Sequence, residues 1–100
     1  MNTKKVIVAR IYIIESSPLL PIIMNYLTSE AMIRGISVFR AISGFGDTGM
    51  HKTSLLDFSL NLPLTLEFFD SKETMEPALA HISTLIKEEH LIFWDALTNH

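Results

Sequence analysis

Hydrophobic and polar positions divide the chain into four apolar, strand-like segments and two segments with helical periodicity. The strand-like segments are rich in β-branched and aromatic residues and are predicted at residues 5–14, 36–43, 63–70 and 91–97. Apolar residues recur at helical spacing from Leu20 to Ala31 and again from Met75 to Ile86. The order β-α-β-β-α-β predicts an α+β, ferredoxin-like fold: a four-stranded antiparallel sheet with two helices on one face.

Capping signals predict where the two helices begin and end. Ser17 followed by Pro18 is typical of a helix start, and Gly35 after the first helical stripe is typical of a helix end. Thr74 is predicted to be the N-cap of the second helix, because the missing N–H of Pro77 should lie in the first turn. No linker, repeat or low-complexity segment interrupts this pattern, so residues 1–100 are expected to form a single domain.

The apolar content is high for a chain of 100 residues, with 48% hydrophobic residues and a mean hydropathy of +0.30. The first and last predicted strands are apolar on both faces. A sheet covered by helices on one face should instead present polar residues on the other. We therefore expect further copies of the chain to cover the second face in a homo-oligomer, with a rather apolar monomer as the alternative.

Charge and residue usage exclude several classes of function. The net charge of -3 and the pI near 5.7 argue against nucleic acid as a partner, since a phosphate backbone requires a basic surface. The chain has no cysteine and no metal-type histidine spacing, so no disulfide and no metal site are expected. Without cysteine, and without an apolar stretch of the ~20 residues that cross a bilayer, the chain is predicted to be cytoplasmic.

Residues 44–49 read GFGDTG, which matches the G-x-G-x-x-G pattern of a dinucleotide-binding turn. That fold needs a long helix after the glycines and two βαβαβ halves, and this chain supplies neither. Two interpretations remain. The glycines either allow a tight turn, or they form an anion-binding loop with Arg40 and His51 nearby.

Several segments resemble the PII signal-transduction proteins, and more closely their small PII-like branch of uncharacterised proteins. The resemblance rests on residues 18–46, on the His51-Lys52-Thr53 stretch, on residues 60–70 and on the terminal strand, so it covers nearly the whole chain. It implies a homotrimer that binds adenine nucleotides in clefts between subunits. It also implies that the 47–61 loop contacts a target, such as a membrane transporter or an enzyme.

Carried over to this chain, the resemblance implies that Gly44, Phe45 and Gly46 form the base of the ligand cleft. Glu67 would lie across the neighbouring subunit interface. PII proteins carry a G-x-G-K segment before the last strand, where this chain reads KEEHL at residues 87–91. A nucleotide less charged than ATP, such as AMP or ADP, is therefore expected, with another small anion or no ligand as the alternatives.

Three further side chains have two interpretations each. Arg40 and Arg10 are flanked by apolar residues and would either pair with Glu15 or Glu67 across strands or clamp an anion in the cleft. His51 would either contact the ligand or be a solvated loop residue.

No motif predicts catalysis, and no cofactor is expected beyond the adenine nucleotide as a ligand. The preferred function is a non-catalytic sensor whose ligand controls the 47–61 loop. The alternatives are a ligand-free structural adaptor that binds a protein partner and, third, a small phosphatase of the acylphosphatase type, which would share the fold class.

Overall fold

A computed structural model describes residues 1–46, 49–52 and 62–100 of the chain. The elements in these residues are β1 (Thr3–Ile14), α1 (Leu19–Asn25), β2 (Ile36–Arg40), β3 (Ser43–Gly46), β4 (Gly49–Lys52), β5 (Pro63–Asp70), α2 (Lys72–Leu85) and β6 (Leu91–Asn99). A π-helical turn, Tyr26–Glu30, continues α1. Four of the strands form an antiparallel sheet in the order β2-β5-β1-β6, and β3 pairs with β4. The predicted ferredoxin-like fold is confirmed.

The core lies between the sheet and the two helices. On β1, Ile7, Ala9 and Ile11 point towards the helices. The cross-strand partners of Ala9 and Ile11, which are Phe68 and Leu66 on β5, are equally buried. The helical stripes predicted from the sequence supply the other layer. The core cluster consists of Ile7, Ala9, Ile11, Ile23, Leu27, Ile33, Leu66, Phe68, Met75, Ala78, Leu79 and Ile82.

Both ends of the first helix differ from the prediction. Pro18, not Ser17, occupies the N-cap position before Leu19, so the helix starts one residue later than predicted. Ser17 lies one residue further out, and its hydroxyl accepts the Leu19 N–H at 3.2 Å. At the other end, Met32 adopts a left-handed φ of 58°, and the Ile33 N–H donates to the Leu27 carbonyl at 2.9 Å. Gly35 therefore does not end the helix. The turn at Met32 directs Ile33 into the core, and this burial overrides the preference for glycine.

The second helix begins three residues earlier than predicted. Ser71, not Thr74, is the N-cap, and its hydroxyl accepts the Thr74 N–H at 3.4 Å. Pro77 consequently lies in the second turn, where it removes the helical hydrogen bond to the Glu73 carbonyl. The prediction was wrong because the loss of one hydrogen bond is outweighed by the cap and by the burial of the apolar stripe that begins at Met75.

The strand predicted at residues 36–43 is interrupted after Arg40, and part of the predicted 44–61 loop is a hairpin. Ser43–Gly46 pairs with Gly49–Lys52, and Gly46 stands opposite Gly49 at the tip. The glycines thus lie in two short paired strands. The predicted loop was wrong for residues 44–46 and 49–52, whereas residues 47–48 and 53–61 lie outside the described part of the chain.

Two substitutions test where the first helix ends. Gly35→Ala is expected to leave the free energy of unfolding unchanged or raise it by up to ~1 kcal/mol, because a Cβ there meets no atom within 4 Å. Met32→Gly is expected to raise it by about 0.5–1 kcal/mol, because glycine adopts a left-handed φ without strain. Urea denaturation measures both values. A loss of more than ~1 kcal/mol in Gly35→Ala would place the left-handed residue at Gly35 instead.

Candidate functional site

The ends of β1 and β2 meet the start of β5, and the β3–β4 hairpin follows β2 along the chain. The Glu15 N–H donates to the Leu62 carbonyl at 2.9 Å, and the Ala41 N–H donates to the Pro63 carbonyl at 2.9 Å. These two bonds hold together the residues that precede and follow the 43–61 segment. We refer to Glu15, Arg40, Ala41, Leu62 and Pro63 as the hairpin base.

Arg40 carries the positive charge of the hairpin base. Its Nε and Nη2 atoms both lie 3.1 Å from Oε2 of Glu15. The ion pair with Glu15 is one of the two interpretations that the sequence left open. The Arg40 side chain is nevertheless 46% exposed, so a dissolved anion can approach the guanidinium.

Exposed apolar residues lie on either side of Arg40 along the chain. Phe39 is 55% exposed, but as the adjacent strand residue it points to the opposite face of the sheet from Arg40, whereas Ile42, two residues after Arg40, is 82% exposed. Binding sites for small molecules typically combine apolar surface with a few polar groups that fix the orientation of the ligand. An exposed guanidinium followed closely by the exposed apolar residue Ile42 suits a ligand that has both an anionic group and an apolar part.

The predicted glycine site lies shortly after Arg40 along the chain. Gly44, Phe45 and Gly46 form most of β3, and Gly44 stands opposite His51 of β4. The pairing of β3 with β4 therefore brings Gly44 and His51, both predicted site residues, opposite each other. The ligand contacts predicted for the Phe45 and His51 side chains lie outside the described part of the structure.

Glu67 lies away from the hairpin base of its own chain. Its Oε1 atom is 2.7 Å from Nε of Arg10, and this hydrogen bond, followed by one with Tyr12, raises the pKa of Arg10 above its usual value. Arg40 pairs with Leu64, three residues from Glu67 along β5, which is roughly 10 Å. Odd and even positions also point to opposite faces of the strand. One chain therefore does not bring Glu67 and Arg40 together.

The sheet face opposite the helices is largely apolar; we call it the open face. Residues opposite one another in antiparallel strands share a face, which assigns its members from the strand register. The Arg10 guanidinium lies on this face, 5.3 Å from the centre of the Trp94 ring. Its large apolar members, each 39% to 55% exposed, are Tyr12, Phe39, Phe69, Ile92 and Trp94. The apolar second face expected from the sequence is thus present.

A separate group of charges lies at the end of the sheet remote from the hairpin base. A cleft of about 620 Å³ runs there between Lys4 and Arg34 and reaches Glu67. Nε of Arg34 is 3.6 Å from Oδ2 of the buried Asp70. Arg34 therefore offers a control cation that is distant from Arg40.

Two further observations concern metals and membranes. In the part of the chain that the structure describes, no three histidine or acidic side chains gather closely enough to hold a metal ion. Neither of the two helices described above has the length and hydrophobicity that a bilayer-spanning segment requires.

Comparison with known proteins assigns the family. Residues 6–97 match the model of the DUF190 family, described as uncharacterized ACR, COG1993. The chain belongs to this family. It is also 33% identical over 70 residues to the UPF0166 protein MJ1524 of Methanocaldococcus jannaschii, a match that spans 70% of this chain and 64% of that protein. The family confirms the small uncharacterised branch that the sequence resembled.

Solved structures show that this chain shares its fold with PII-like proteins. CPII, a nitrogen regulatory PII-like protein from Thiomonas intermedia K12 solved with ADP, AMP and bicarbonate, superposes with a TM-score of 0.76. The two are 16% identical, and the match covers 99% of this chain and 92% of CPII. TTHA0516 of Thermus thermophilus, described as a PII-like signaling protein, has a TM-score of 0.66 at 15% identity, and the match covers 98% of this chain and 91% of that protein.

Arg40→Gln is expected to lower the free energy of unfolding by less than about 1 kcal/mol, because ion pairs between exposed side chains contribute little to stability. Urea denaturation of the variant and of the wild-type chain measures the difference. A loss of several kcal/mol would show that Arg40 mainly supports the fold, and the hairpin base would then lose its candidate ligand-binding cation.

Proposed function

We propose that this DUF190 protein is a non-catalytic sensor of the PII type. It binds an anionic small molecule at the hairpin base, with AMP or ADP as the first candidate. Three copies of the chain form the binding unit, and the ligand sits in the clefts between them. Occupancy changes how the 47–61 loop is presented to a target protein, such as a transporter or an enzyme.

The observation that carries this proposal is the position of Arg40. Its side chain is 46% exposed, the exposed apolar residue Ile42 follows two residues later, and the glycine strand β3 begins three residues after it. An adenine ring and a phosphate match these two kinds of surface. A planar guanidinium binds phosphate through two parallel hydrogen bonds, which makes arginine the preferred residue for this task.

The fold supports the same ligand class. CPII shares the fold and was solved with ADP, AMP and bicarbonate. The present chain has KEEHL at residues 87–91, where PII proteins carry a glycine-rich phosphate-binding segment. Fewer groups are then available for a triphosphate, so we favour AMP and ADP over ATP.

The open face supports assembly from identical copies. Its five large apolar side chains would otherwise contact water, and contiguous apolar surface on a soluble protein usually marks an interface. The ion pair between Arg10 and Glu67 lies on the same face and would become less accessible to water in the assembly.

Signalling then follows from linkage between the ligand and the loop. A ligand shifts a conformational equilibrium only by the difference between its affinities for the two states. The hairpin base joins the residues before and after the 43–61 segment, so a ligand bound there can favour one loop arrangement over another. A target that binds one loop arrangement more tightly than the other would therefore respond to the ligand concentration.

Thermal unfolding with AMP, ADP, ATP and bicarbonate tests the ligand. A ligand at ~100 times its dissociation constant should stabilise the folded state by about 2.7 kcal/mol and raise the melting temperature by several degrees. We expect AMP and ADP to do so more than ATP. Arg40→Gln should abolish the shift, whereas the matched control Arg34→Gln should retain it.

The alternatives give different results in this panel. No shift with any of these ligands would contradict the sensor proposal and favour the ligand-free adaptor. Release of inorganic phosphate from an acyl phosphate substrate, measured on the same preparation, would contradict the non-catalytic assignment and favour the phosphatase.

Light scattering after gel filtration tests the assembly. The wild-type protein is expected to have three times the mass of the 11.3 kDa chain. Phe69→Glu places a charge in the middle of the open face and should yield the mass of one chain. The exposed Ile22 on α1, which lies outside the open face, provides the control Ile22→Glu, which should remain a trimer. A wild-type mass of 11.3 kDa would contradict the assembly.

A further inference from the structure

The carboxylate of Glu15 is bound to the side of the Arg40 guanidinium with which an anionic ligand would interact. Both the Nε and Nη2 donors of Arg40 point to one carboxylate oxygen, Oε2 of Glu15. These two adjacent donors form the edge with which a guanidinium typically grips two oxygens of a phosphate or carboxylate. A ligand oxygen that uses this edge therefore has to replace the oxygen of Glu15.

We infer that Glu15 is an internal competitor of the ligand and a determinant of its charge preference, an inference that rests on the proposed function. Without ligand, the carboxylate of Glu15 occupies Arg40. With ligand, phosphate oxygens take its place. No covalent bond changes, and the exchange substitutes one charge-assisted hydrogen-bonded pair for another.

The displaced carboxylate also affects which ligand binds best. Its negative charge remains attached to the hairpin base and repels the negative charge of the ligand. Repulsion increases with ligand charge, so Glu15 disfavours ATP more than ADP and ADP more than AMP. The predicted preference for less charged nucleotides thus has a second cause besides the missing phosphate-binding segment.

Glu15 also connects the ligand to the loop. Its side chain faces Arg40, while its backbone N–H is bonded to the carbonyl of Leu62, the residue that follows the 43–61 segment. Arg40 precedes the same segment. Exchange at Arg40 therefore changes an interaction that spans both ends of the segment. This is the contact through which the ligand would bias the loop.

The variant Glu15→Gln tests the competition directly. It removes the charge while keeping the size of the side chain, so we expect AMP to bind about two- to fivefold more tightly, the range associated with an exposed ion pair. ATP should gain more than AMP. Glu76→Gln is the matched control, because this substitution removes the same charge elsewhere on the molecule. Glu76 is 57% exposed on α2 and forms an ion pair with Lys72 at 3.5 Å. Titration calorimetry with AMP, ADP and ATP measures all three proteins.

A second measurement uses the wild-type chain and needs no variant. The chain has three arginines, Arg10, Arg34 and Arg40, and their Nε–H signals can be followed by NMR after labelling with nitrogen-15 arginine. Addition of AMP should shift the Arg40 signal, with Arg10 and Arg34 as internal references. In Glu15→Gln without ligand, the Arg40 signal should already differ from that of the wild type.

The results separate this inference from the proposed function. If wild type and Glu15→Gln bind AMP equally well, or if AMP binds without shifting the Arg40 signal, Glu15 is not a competitor, although nucleotide binding itself stands. If neither protein binds AMP, ADP or ATP, the proposed nucleotide function fails and this inference fails with it. Tighter binding in Glu15→Gln but not in Glu76→Gln supports the competition.

Discussion

The pairing of β1 with strands on both of its sides is the constraint on which the rest of the structure depends. Because β1 lies between β5 and β6, one alternate set of its residues forms the floor of the core and the other set forms the centre of the open face. The register of β1 with β5 also determines which residues meet where these two strands end. Ile14 is paired with Pro63, so Glu15 comes next to Leu62 and beside the end of β2, where Arg40 begins the connection to the hairpin.

This geometry places two ion pairs in different surroundings. The pair of Arg10 and Glu67 lies in the middle of the open face, with the Trp94 ring beside the guanidinium, and assembly would remove it further from water. The pair of Arg40 and Glu15 lies at the edge, where a dissolved anion can compete for the guanidinium. Under the proposed function, similar residue types would serve two purposes, one in joining copies of the chain and the other in sensing a ligand. The difference arises from their positions in the sheet.

Much of the fold follows from the sequence, because hydrophobic periodicity reports directly on burial. The four main strands, both helical stripes and the apolar second face were predictable. The details that failed depend on tertiary contacts: Ile33 enters the core and moves the end of α1 to Met32, and the cap at Ser71 allows Pro77 inside α2. The sequence singled out Arg40 but left its partner open between Glu15 and Glu67, because only the strand register distinguishes them. The part of the site that two chains would share cannot be predicted from the hydrophobic pattern of one chain.

Hydrogen exchange with and without AMP, read by mass spectrometry, tests most directly whether ligand binding at the hairpin base is coupled to the loop. We expect AMP to slow exchange in peptides that cover residues 40–62, while peptides from α2 remain unchanged and Arg40→Gln loses the effect. Slower exchange confined to the opposite end of the sheet, around Lys4 and Arg34, would instead place the ligand in the remote cleft. That result would contradict the proposed site.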